Sequence, residues 1–151
     1  MSRSARPLSR VRSLFAAAVA VTALAAAPAY AESWSCTYAG NWTRNSDGGN
    51  APFTWRIQWE KANSGGWRLF GDFQDRSGSS RFDGRCANKS CQFYQRYIGG
   101  NLDGKTYHYR GSYTDTWYGD AKTVNAFTGN WGYNPGGTDG GWTATATCTK
   151  N

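Results

Sequence analysis

The chain has 151 residues, of which 39% are hydrophobic and 16% aromatic, and a formal net charge of +7. Four of the basic residues, Arg3, Arg6, Arg10 and Arg12, fall in a leader; without them 13 basic residues face ten acidic ones, a net charge of +3. A small, scattered charge of that kind gives no basis for nucleic-acid or membrane-surface binding.

Residues 1–31 read as a secretory signal peptide. A basic start precedes the apolar run "LFAAAVAVTALAAA", and "AYA" supplies small residues at the cleavage positions. The apolar run is about 14 residues, short for a membrane span. Residues 32–151 then form a single domain. The expected location is secreted or periplasmic, where four cysteines become two disulfides.

The mature segment holds few large aliphatics: Ile57, Leu69, Ile98, Leu102 and Val124. Its rings are many: 8 Trp, with the Tyr and Phe that remain after Tyr30 and Phe15 leave with the leader. Rings bury about 150–250 Å² each and can replace an aliphatic core.

No apolar period of 3.6 residues appears. Turn clusters "NSDGGN", "ANSGG", "RSGSS", "ANKS", "GGNLDGK", "GDAK" and "NPGGTDGG" leave eight segments, predicted as strands. In the first, "CTYAGNWT", Cys36, Tyr38, Gly40 and Trp42 share a face. In the second, "FTWRIQWE", Phe53, Trp55, Ile57 and Trp59 do. The third, "RLFGDFQ", leaves Phe70 on the polar side, and Asp75 has apolar-face parity. The fifth places Gln95 between Phe93 and Tyr97. The sixth aligns Tyr107, Tyr109, Gly111, Tyr113, Asp115 and Trp117. The seventh places Asn125 with Phe127, Gly129 and Trp131. In the eighth, Trp142, Ala144, Ala146 and Cys148 oppose four threonines. Strict alternation means one dry face and one wet face.

The fold class is therefore all-β: an eight-stranded antiparallel up-and-down meander closed into a small barrel, with a two-sheet sandwich as the alternative. An even strand count lays the last strand antiparallel to the first. Cys36 and Cys148 then meet at the barrel seam, and Cys86 pairs with Cys91 across "CANKSC". "YAGNW", "YRGSY" and "FTGNW", with the looser "LFGDF" and "FDGRC", place Gly40, Gly111, Gly129, Gly71 and Gly84 on apolar faces. Inward glycines permit tight curvature and close approach.

Repeated ring–x–Gly–x–ring strands in a secreted eight-strand meander resemble the calycin-type barrels, the avidins and lipocalins; "YAGNWT" is similar to an avidin opening strand. The resemblance is architectural. The spaced set of avidin biotin contacts is not found, so no biotin site follows. It implies a ligand cavity at one barrel mouth.

The expected function is a non-catalytic binding protein for a small aromatic or apolar ligand or a saccharide. Candidate ligand contacts are Trp42, Trp55, Trp59, Tyr109, Tyr113, Asp115, Asn125 and Trp131. A hydrogen-bonded structural network, or a slipped register at a bulge, would equally account for the inward polar groups. The alternative function is an inhibitor or effector that binds a partner protein such as a hydrolase, with Phe70 as an exposed anchor. No cofactor or metal is expected. His108, the single histidine, has wet-face parity, and no nucleophile can be tied to it. Asp75 and Asp115 should lie toward opposite mouths, too far apart for a glycosidase pair.

Overall fold

The computed structural model describes residues 32–75 and 77–151. The predicted signal peptide lies outside them. Eight strands follow in order: β1 (Ser33–Arg44), β2 (Asn50–Lys61), β3 (Trp67–Asp75), β4 (Gly78–Ala87), β5 (Ser90–Tyr97), β6 (Thr106–Tyr118), β7 (Ala121–Gly132) and β8 (Gly140–Lys150). Each pairs antiparallel with its neighbours in sequence, and β8 returns to β1 to close a barrel. The meander is the expected one; the sandwich is not formed.

The predicted turn clusters fall between the strands. The two-residue turn from β4 to β5 runs through Asn88 (φ 50°) and Lys89 (φ 64°). Left-handed backbone at both central residues is what a two-residue hairpin of the right twist demands. Asn tolerates it well; Lys adopts it rarely. Directly beyond the turn, Cys86 lies opposite Cys91 and bonds to it. At the seam, Cys36 lies opposite Cys148 in the β1–β8 register, and these two also form a disulfide.

The lumen is filled at mid-height. Tyr38, Ile57, Trp59, Leu69, Val124 and Phe127 are essentially inaccessible to solvent, and Trp55, Phe82, Phe93 and Trp142 pack with them. The inward glycines admit these rings. A Cβ on Gly111 would come within 2.6 Å of Trp142 Cζ2, and one on Gly40 within 2.6 Å of Phe53 Cζ.

One expected orientation is corrected. β7 carries a bulge between Val124 and Phe127, and its register with β6 shifts at Thr114/Asp115. The bulge reverses the inward parity along β7. Asn125 is therefore exposed on the outer surface, where its Nδ2 donates to Thr116 Oγ1 at 2.7 Å. Val124 and Lys122 turn inward in its place. Phe70 is half-buried rather than free, with the Arg68 guanidinium 4.9 Å from its ring centre.

The two disulfides differ in the chain they enclose, 112 residues of separation at the seam against 5 in the hairpin. Chain entropy then assigns roughly 5 kcal/mol to the first and roughly 2 to the second. The Cys36→Ala/Cys148→Ala variant should lose clearly more stability in urea than Cys86→Ala/Cys91→Ala. Equal losses would show that loop closure does not set the difference.

Candidate functional site

The barrel's two ends are built differently. One end is ringed by the loops at 45–49, 98–105 and 133–139 and by the β3–β4 connection, the other by the termini and the turns at 62–66, 88–89 and 119–120.

The first end opens into a cavity of about 640 Å³. Strand alternation delivers its rings: Trp42 from β1, Phe53 and Trp55 from β2, Phe73 from β3, Tyr97 from β5, Tyr107 and Tyr109 from β6, and Trp131 from β7. Tyr133, just past β7, stands at the rim, about half exposed. The rings touch in a chain: Trp42 and Trp131 centres lie 6.0 Å apart, Trp131 and Tyr107 5.9 Å, Tyr107 and Tyr133 5.5 Å. The cavity also opens sideways. β2 and β3 are paired only from Gln58↔Phe70 to Lys61↔Trp67, and they part toward this mouth. An outer hollow of about 860 Å³ lies over the gap and shares Pro52, Phe53, Phe73 and Asp75 with the cavity.

Polar groups beneath the rings are organised. Tyr109 Oη donates to Gln95 Oε1 at 2.9 Å, and Gln95 Nε2 donates to Ser80 Oγ at 2.9 Å. Tyr97 Oη donates to Asp75 Oδ2 at 2.9 Å; Asp75 Oδ1 accepts from the Ser77 and Gly78 backbone N–H groups at 2.6 and 3.1 Å. Trp131 Nε1 donates to the Thr43 carbonyl at 2.8 Å, which fixes its ring. Burial pushes the Tyr97 hydroxyl up, and the Asp75 carboxylate that accepts its proton pushes it further; burial does the same to Tyr109. Arg44, at the rim, is held on both sides by Asp47.

The other end is closed by a buried cation. Lys122 is 2% exposed and Asp115 3%, with Nζ and Oδ2 3.0 Å apart; Lys89 binds the other carboxylate oxygen. The Lys122 ammonium lies 4.4 Å from the Trp117 ring centre, 4.6 Å from Trp59, 5.3 Å from Tyr113 and 5.5 Å from Trp67. Trp34 closes edge-on against Trp117 at 4.8 Å. Burial disfavours charge on Asp115, but the two lysines outweigh it and hold its carboxyl below the usual range. Burial lowers Lys122, and Asp115 only partly offsets this.

The eight sequence-predicted contacts therefore separate. Trp42, Trp55, Tyr109 and Trp131 line the open cavity. Trp59, Tyr113 and Asp115 belong to the closed end, and Asn125 faces outward. Asp75 and Asp115 do lie toward opposite mouths. His108 pairs with Tyr94 and Gly132, off the lumen. Among the cavity-lining rings not singled out from the sequence were Phe53, Phe73, Tyr97 and Tyr107, all signalled by strand parity; Tyr133 lies in a loop that parity does not reach.

Two outcomes follow for the closed end and the tyrosines. Asp115→Asn leaves Lys122 charged among rings and should cost about 3 kcal/mol or more in urea unfolding. Lys122→Met keeps Asp115 paired with Lys89 and should cost less; the reverse order would remove the ion pair from the account. Tyrosines whose hydroxyls are raised in the folded state stabilise it fully below their ordinary value of 10, with Tyr113 pushed up to about 12 by burial and the Asp115 charge. Stability should therefore fall as pH rises above about 10, and the absorbance contributed by the buried tyrosines should appear together with unfolding. Ionisation of Tyr38, Tyr97, Tyr109 and Tyr113 in the still-folded protein would contradict their burial.

No family model matches the chain, and no curated protein matches it. Among solved structures, the ywiB protein from Bacillus subtilis is similar, with a TM-score of 0.47 and 5% identity over 80% of this chain and 92% of that one.

Proposed function

We propose that the protein is a secreted or periplasmic, non-catalytic binding protein that takes a small aromatic or apolar molecule, or a saccharide, in the open mouth of its barrel. The carrying observation is the cavity itself: about 640 Å³, walled by rings, with a few fixed polar groups beneath. Small-molecule sites have this size and this division between apolar wall and sparse directional groups. The calycin-like architecture supports the same reading, since such barrels hold ligands at a mouth. The leader pattern and the two disulfides support export to an oxidising compartment.

The seat of binding is tested by one variant at each end. Native mass spectrometry and calorimetry with a panel of saccharides and small aromatic compounds should find ligands whose affinity falls about tenfold in Tyr107→Ala, as expected for loss of one stacking ring. Trp117→Ala, at the far end, should bind as well as the parent. Binding that survives Tyr107→Ala and fails in Trp117→Ala would place the site at the wrong mouth.

A further inference from the structure

Resting on that reading of the open mouth, we infer its ligand class: an organic ammonium ion, seated among the rings of Trp42, Tyr107, Trp131 and Tyr133 above the Asp75 carboxylate. The protein already contains an occupied version of this arrangement. At the closed end, four rings lie 4.4–5.5 Å from the Lys122 ammonium and Asp115 lies 3.0 Å from it. Ring faces attract a cation through their quadrupole, and a carboxylate completes the charge. The open mouth repeats the components: linked rings with centres 5.5–6.0 Å apart and one carboxylate near the strand end. What differs is the occupant. No lysine lines the cavity among the described residues; its one described basic group, Arg44, stands at the rim, where Nε and Nη2 donate to Asp47 and the guanidinium also lies near the Tyr133 hydroxyl.

Charge favours a cation over a sugar. Several polar groups beneath the rings are already engaged by one another, Gln95 by Tyr109 and Ser80, the Tyr97 hydroxyl by Asp75 and the Trp131 indole by Thr43, while the Tyr107 hydroxyl and the Trp42 indole N–H, which line the cavity, form no side-chain hydrogen bond among the described residues. What the floor still offers is the negative charge of Asp75, which forms no salt bridge among the described residues, and what the wall offers is π surface. Hydrogen bonds from Tyr97 Oη and two backbone N–H groups fix the carboxylate without neutralising it.

The test uses matched pairs that differ in charge and little in shape: choline against its uncharged carbon isostere, and phenethylamine at neutral pH against phenethyl alcohol. Calorimetry or NMR titration of the mature protein should show each cation binding about tenfold more tightly than its neutral partner. Asp75→Asn should shrink that gap to a few-fold while the thermal midpoint holds. If Asp75→Asn does not fold, Tyr133→Ala, at a rim position 48% exposed, should weaken both cations several-fold and serve in its place. Equal affinity within the pairs, or preference for the neutral members or for saccharides, overturns the ammonium assignment and leaves the cavity reading standing. Absence of binding by every member, saccharides included, overturns both.

Discussion

Trp142 against Gly111 and Phe53 against Gly40 show the constraint that the rest of the molecule obeys. A chain with so few aliphatic residues must fill a narrow barrel with rings, and at these two places a ring fits because the strand it meets carries no side chain there. The glycines provide those places. The recurring ring–x–Gly–x–ring phrase is thus a packing rule written along the strand. It costs conformational entropy in the unfolded chain, since glycine loses the most freedom on folding. Interlocked rings and two disulfides offset that loss.

The same constraint divides the lumen. At mid-height, rings from β1, β2, β5, β7 and β8 meet and leave no room. Toward one mouth β2 and β3 part, the rings no longer reach across, and a cavity remains. Toward the other, the gap is filled by Lys122. An ammonium among rings is stable there because Asp115 supplies the countercharge and the ring faces supply the rest. One end is sealed by the chain's own cation and the other stays open.

The bulge in β7 makes that seal possible. Continuous alternation back from Phe127 would send Asn125 inward and Lys122 out to solvent. One break in parity exchanges them, so the inward positions become Val124 and Lys122. Asn125 is then satisfied outside by Thr116. The aligned odd-numbered residues of β6, from Tyr107 to Trp117, were legible because that strand faces the lumen throughout. The β7 set was misread at one residue because a bulge depends on what opposes it.

The sequence by itself determined the strands, their antiparallel order and the inward rings, because strand alternation and turn chemistry are local, and it favoured both cysteine pairs; that the meander closes into a barrel and not a sandwich was decided by the β8–β1 pairing. The sequence also separated Asp75 from Asp115 by strand direction alone. Only the tertiary structure decided which inward rings border empty space and which are core. Parity says that a side chain points into the lumen, but not whether the opposite wall meets it. It also decided that Asp115 serves an internal lysine rather than the open cavity, since that pairing arises from a register shift between β6 and β7 and from no pattern within either strand.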